Sequence, residues 1–360
     1  MSLWPVFTGS NQPHDGIDQL PAPPPWRAFD GGPALPTPAE HEDRAATSPD
    51  RRHRARTYIA TDEAVQLVNA ALYLRRPLLV TGPPGSGKSS LAYAVAHELK
   101  LGPVLRWNIT SRTVLHDGLY AYDPLSRLYA AGRRASAARE AASTGRSVAA
   151  SGEGKPGHQA QAGAGDLEEH LRLGPLGTAL LPYRRPRVLL IDEIDKSDLD
   201  LPNDLLNILE EGQYEIPELV RATRHTPSAS VLVDGTDERV TVRGGRVRCR
   251  AFPFTVLTSN GEREFPPAFL RRCVRLELHQ PREVHLEQIV RAHLGEPAPY
   301  ARELIARFLE RGTAGELATD QLLNAIYLTG ASGLEGSSRD ALAEQLMPYL
   351  SRGHQDDAGF

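Results

Sequence analysis

The 360-residue chain predicts an α/β fold, a parallel sheet sandwiched by helices and followed by a small all-α domain. Three observations carry this expectation. Short, continuous apolar runs at 78–80, 104–109, 188–191, 254–258 and 274–278 have the length and composition of buried parallel strands. Apolar residues at helical spacing accompany them, as at 62–74 and 91–99. After Pro281 the strand-like runs stop, and 283–294, 301–311, 316–328 and 340–350 all read as amphipathic helices.

The segments before and between these elements are compositionally biased. Nine of the first forty residues are proline, which removes backbone donors and leaves little apolar surface to offset ordering. Residues 1–56 are therefore expected to be a disordered arm. The arm closes on RRHRAR, residues 51–56, which reads either as solvated charge or as a contact for nucleic acid or an acidic partner. A second biased stretch, at about 132–173, has almost no large apolar residue and is expected to be a flexible surface insertion. The ordered units are then an α/β core at 57–280 and a helical domain at 281–352.

Composition excludes several classes. With 41 Lys and Arg against 45 Asp and Glu, the net charge of -4 gives no nucleic-acid footprint. Cys249 and Cys273 form neither a disulfide framework nor a CxxC pair, as expected in a reducing, cytoplasmic setting. The start MSLWPVFTGS lacks the features of a signal peptide, and no run approaches membrane-spanning length, so a soluble protein without a membrane partner is expected.

The first strand-like run ends in TGPPGSGKSS, residues 81–90. Gly82, Gly87, Lys88 and Ser89 fit GxxxxGK[ST], between a strand and a helix as that motif requires. The loop of Gly82, Pro83, Pro84, Gly85, Ser86 and Gly87, with Ser90 beyond it, can converge backbone N–H groups on phosphate oxygens at a helix N-terminus. Lys88 would neutralise the β and γ phosphates, and Ser89 would ligate Mg2+. A plain strand-to-helix turn explains the glycines but not a lysine and serine together at the first helical turn.

The run VLLIDEID, 188–195, delivers Asp192 to the C-terminal end of a buried strand, where open α/β sheets bind ligands and where it can share the metal with Ser89. Glu193, on the other side of the chain, can reach a water in line with the γ-phosphate and act as its base. An acidic strand end that caps the next helix, through Asp195 or Asp198, is the alternative. FTVLTSN, 254–260, ends a further strand on Asn260, which either orients the water or γ-phosphate or simply terminates the strand in a turn.

Taken in order, GPPGSGKS, LLIDEID, LTSN and FPPAFLRR resemble the AAA+ ATPases, P-loop NTPases in which the terminal helical domain is a lid. GPLGTALLP, NDLLNILEEGQYEI and VTVRGGRVRC are similar to the MoxR-like branch. The resemblance covers about residues 57–350. It implies ATP and Mg2+ as cofactors, hydrolysis of ATP, and a homo-oligomeric ring, usually of six subunits, in which each neighbour completes the next site. Arg272, or Arg271 beside it, stands where such proteins carry the arginine finger; solvated charge before the last strand is the other reading. Ile59, next to Tyr58, lies where the family packs adenine. The partner implied is a protein client, often of von Willebrand A type. Asp320 and Gln321 stand where related lids often carry an arginine.

VTVR and RVRC flank Gly244-Gly245, a strong two-residue hairpin signal. Alternation puts Val240, Val242, Val247 and Cys249 on one face and Thr241, Arg243, Arg246 and Arg248 on the other. This basic plate reads as a solvated face, or as a contact for an acidic segment or threaded nucleic acid. Besides an ATPase that remodels or activates a partner, two functions stay open: a slowly hydrolysing assembly switch, and a nucleotide-dependent subunit of a nucleic-acid-processing complex. NKxD, HExxH and GxSxG motifs are absent from the sequence.

Overall fold

A computed structural model describes residues 4–39, 48–143, 167–224, 226–296, 299–312, 318–331 and 336–346. At its centre five parallel strands lie in the order β11-β1-β10-β5-β2. They are β1 (Leu78–Thr81), β2 (Leu105–Asn108), β5 (Val188–Asp192), β10 (Phe254–Ser259) and β11 (Val274–Glu277). Each was expected from an apolar run. The register pairs Leu78 with Val256 and Val274, and Val188 with Phe254, so the C-terminal ends of β1, β5 and β10 finish along one rim.

Both faces of this sheet are covered, which is why its strands read as unbroken apolar runs. Leu78, Val80, Val188, Leu190 and Val256 pack on one side with Val68 and Leu72 of α2 (Asp62–Leu74) and Leu91 and Val95 of α3 (Lys88–Glu98). The alternate residues Leu79, Leu189, Ile191 and Leu257 pack on the other. There they meet Leu176 of α6 (Pro175–Ala179) and Leu205 and Leu209 of α7 (Leu201–Glu211). Burying each such leucine or valine contributes about 1.5–3 kcal/mol before conformational entropy is subtracted.

The N-terminal region differs from expectation. Residues 4–39 and the helix α1 (Pro49–Thr57) are laid against the core instead of forming a disordered arm through residue 56. Phe7 is fully buried, with Val6 and Ile17 beside it in the α2–α3 layer. The deciding partner is Asn69, a buried amide on α2. Its Oδ1 accepts the N–H groups of Val6 and Phe7 at 2.7 and 2.9 Å, while Nδ2 donates to the carbonyls of Phe7 and Val65. Glu98, also buried, accepts from the backbone and hydroxyl of Thr8 and the backbone of Asn11. Two core side chains thus supply the backbone partners that the proline-rich composition denies the segment locally.

The segment expected as an insertion also splits. Its first part lies in α5 (Pro124–Ser143), residues 144–166 fall outside the described residues, and Leu167, Leu171 and Leu173 are buried. Leu171–Leu173 form β4 of a second, six-stranded sheet, ordered β3-β4-β7-β8-β9-β6. The others are β3 (Tyr120–Tyr122), β6 (Gln213–Glu215), β7 (Ser228–Leu232), β8 (Arg239–Arg243) and β9 (Arg246–Arg248). β8 and β9 form the expected hairpin, with Gly244 and Gly245 both left-handed, at φ 62° and 68°, as a two-residue turn of this hand needs. Val242, Val247 and Cys249 are buried, and Thr241, Arg243, Arg246 and Arg248 are exposed.

Beyond β11, four helices enclose a core of their own: α10 (Glu283–Leu294), α11 (Pro299–Gly312), α12 (Thr319–Ala331) and α13 (Gly336–Leu346). Leu286, Val290, Leu304, Phe308 and Leu322 fill it. No helix among the described residues is long and apolar enough to cross a membrane.

Because Phe7 is anchored in the main core, Phe7→Ala should destabilise the whole α/β unit by about 3–5 kcal/mol. A thermal or urea midpoint equal to that of the parent would show that the N-terminal segment contributes nothing to the fold.

Candidate active site

The rim formed by β1, β5 and β10 opens into a cavity of about 780 Å³ between the sheet, α1 and the helical domain. Pro84, Gly85, Ser86, Gly87, Lys88, Ser89 and Ser90 line it with Asp192, Glu193 and Asn260. The loop after β1 turns into α3 through Gly87, which adopts a left-handed φ of 85°; a side chain there would press on the Tyr58 ring. Gly85, at φ 75°, lies so close to Ala318 and the start of α12 that a Cβ would come within 2.7 Å of the Ala318 methyl. The cradle therefore touches the helical domain directly.

Lys88 is buried, and its Nζ donates to the carbonyls of Gly82 and Pro83 at 2.7 and 2.8 Å. Burial pushes its pKa down, against the opposing pull of Asp195, Asp192 and Glu193. Ser86 Oγ is buried without a hydrogen-bond partner among the described residues. A glycine-bearing loop at the N-terminus of α3, an orphaned hydroxyl and a desolvated ammonium together fit a phosphate chain.

Asp192 is the junction of the site. Its Oδ1 accepts hydrogen bonds from Ser89 Oγ and Thr258 Oγ1, both at 2.7 Å, and Oδ2 pairs with the Arg106 guanidinium at 2.7 Å. Burial alone would raise its pKa, but the bonds from Ser89, Thr258 and Arg106 outweigh that and hold the carboxyl below its ordinary 3.8. A hydroxyl and an ionised carboxylate already in contact at the head of α3 are a donor set suited to magnesium.

The next residue is turned the other way. Glu193 is a non-glycine residue at φ 62°, a left-handed conformation that costs on the order of 1 kcal/mol. Its N–H donates to Thr258 Oγ1 at 2.9 Å, so one hydroxyl fixes both acids, and its carboxylate accepts from Lys196 at 2.8 Å. Asn260 is held by its backbone, whose N–H donates to Asp195 Oδ2 at 2.9 Å, with Glu262 N–H on the same oxygen. Asp195 thus fastens β5 to the turn after β10. It does not cap the following helix, which has Asp200 at its N-cap and no side-chain cap.

Ile59 and Tyr58 line the cavity wall. Arg271 and Arg272 do not: Arg272 is hydrogen-bonded to Glu210, and Arg271 offers its carbonyl to Arg76. Asp320 lines the cavity with Thr319. Several lining or anchoring residues had no motif to mark them. Arg106 and Thr258 act through partners distant in sequence; an alternating polar position on β2 and the hydroxyl before SN were the available signals. Arg54 of α1 and Arg282 at the start of α10 bring two cations to the cavity. His53 of α1 and His293 of α10 join the two elements, Nε2 to Nδ1, at 2.9 Å.

Comparison with known proteins agrees with this geometry. The model of the AAA domain family, dynein-related subfamily, matches residues 77–273, more than half of the chain. No curated protein matches. The chain belongs to this family and is a nucleotide-dependent AAA+ ATPase.

Since the Asp192 carboxyl titrates below its ordinary value, its contribution to stability is full above about pH 4 and is lost as pH falls through the lowered value. Asp192→Asn should therefore show a shallower loss of stability on acidification than the parent. Superimposable acid-unfolding curves would mean that the three hydrogen bonds do not hold Asp192 ionised.

Proposed function

We propose that this AAA+ chain binds ATP with Mg2+ in the 780 Å³ cavity and hydrolyses it to remodel or activate a partner protein. The observation that carries the reading is the contact between Ser89 and Asp192 at the head of α3, beside a Glu193 turned out of the strand. Bound magnesium would supply positive charge at the phosphates. Lys88 and the loop N–H groups would bind and orient them. Glu193 would accept a proton from the attacking water, and Asn260 would orient that water. Ile59 would cover the base.

The rest of the proposal follows the resemblance to the MoxR-like branch. A ring of identical subunits, usually six, would place Arg272 or Arg271 of one subunit at the site of the next, where a guanidinium on the transferring phosphoryl group is worth about a thousand-fold or more. Arg272 lies away from the cavity of its own chain, as a group serving a neighbour would. A von Willebrand A-type protein is the proposed kind of client. The helical domain carries Asp320 instead of a lid arginine at the cavity, but Arg282 presents a guanidinium from α10. That substitution favours, as a second reading, a slowly hydrolysing assembly switch.

Phosphate release measured against protein concentration separates the two. The remodelling reading predicts a specific rate that climbs steeply with concentration, eliminated in Lys88→Ala with ATP binding weakened and eliminated in Glu193→Gln with ATP binding retained. A specific rate that is negligible and independent of concentration would leave only the switch. Unchanged turnover in Lys88→Ala would remove the cradle from the account altogether.

A further inference from the structure

At the opposite end of the central sheet, where β5 and β10 begin, a second cavity of about 660 Å³ lies under the N-terminal segment. Five arginines line it, Arg27, Arg75, Arg184, Arg185 and Arg250, against two carboxylates, Asp18 and Asp30. Both carboxylates are already committed, Asp18 to Arg185 and Asp30 to Arg248. That leaves four lining arginines with no carboxylate in ion-pair contact among the described residues.

Two of the four are not ordinary surface charges. Arg27 is 7% exposed; its guanidinium donates to the Leu209 carbonyl at 2.7 Å and lies over the Phe252 ring. Arg75 donates to the carbonyls of Leu72 and Pro21. Burial pushes the pKa of both downward, only partly opposed by Glu210 near Arg27 and Tyr73 near Arg75. A guanidinium has five N–H donors, and these bonds use one on Arg27 and two on Arg75, so each keeps donors for a further acceptor. Arg184 and Arg250, both exposed, stand at the rim where they would steer an anion inward.

The wall between the charges is apolar. Phe29 and Phe252 stack with centroids 5.9 Å apart, and Leu20 and Pro21 lie beside them. We infer that this cavity is a docking site for an acidic peptide segment, carboxylates on the arginines and an apolar side chain against Phe29 and Phe252. The convergence of charge into a concave pocket with an aromatic wall suits a short carboxylate-bearing segment with an apolar side chain better than the extended, repeating charge of a nucleic-acid backbone. The N-terminal segment, from Ile17 to Asp30, then has a role as one wall of the site. This inference does not rest on the nucleotide reading.

The test is fluorescence anisotropy on the full chain at low salt, using a labelled acidic hexapeptide with one phenylalanine (EDEFDE), a basic counterpart (KRKFKR) and a single-stranded DNA hexamer. The expected result is binding of the acidic peptide alone, weakened by salt, weakened about tenfold or more in Arg184→Glu/Arg250→Glu, and unaltered in Lys88→Ala. Should the charge-reversed protein fail to fold, Arg184→Gln/Arg250→Gln is read the same way. Equal affinity in parent and variant, or no binding of the acidic peptide, overturns the proposal. Preferential binding of the DNA overturns it in favour of a nucleic-acid site.

Discussion

The structure turns on a single side-chain cluster, in which the Asp192 carboxylate receives the hydroxyls of Ser89 and Thr258. These three residues come from the helix after the first strand and from the ends of two other strands. Their contact requires β1, β5 and β10 to be neighbours in parallel, with their C-terminal ends level. Every other site residue is placed relative to that arrangement. Thr258 also takes the N–H of Glu193, so Asp192 and Glu193 are fixed by one hydroxyl. The cost of desolvating Asp192 is offset by three hydrogen bonds, and what remains is an ionised oxygen donor at the head of a helix.

Around this cluster the fold divides its labour by sheet face. One face carries α2, α3 and the first part of the N-terminal segment, with Val6, Phe7 and Ile17, fastened through Asn69 and Glu98. The other carries the six-stranded sheet, including the hairpin whose arginines face solvent. The helical domain has its own core and meets the cradle at Gly85 and the first helix at His53 and His293. A change in what fills the cradle would thus be felt by the helical domain at Gly85 and, through the packing of α1 on α3, by the first helix.

Much of this was legible in the sequence because the decisive residues are local. GPPGSGKS and LLIDEID are each contiguous, so motif and spacing put Lys88, Ser89, Asp192 and Glu193 at one cavity without any tertiary information. Five parallel strands announced themselves by being buried on both faces. The hairpin was equally plain, because Gly-Gly between alternating residues leaves little choice of turn. What was not legible depends on partners far along the chain. Composition marked residues 1–56 as unstructured, since nothing in that segment reveals that Asn69 and Glu98 offer it backbone partners. Three-residue strands such as Leu171–Leu173 are too short to show a period, and Arg106 and Thr258 matter only through Asp192.

The most direct measurement of the central claim is Mn2+ binding by electron paramagnetic resonance in the presence of ATP, with Mn2+ standing in for Mg2+. The parent chain should sequester the ATP-bound ion, and Ser89→Ala and Asp192→Ala should each release most of it while retaining their fold. Undiminished binding in both variants would contradict that claim, because the metal would then be held by residues other than the pair on which the site is built.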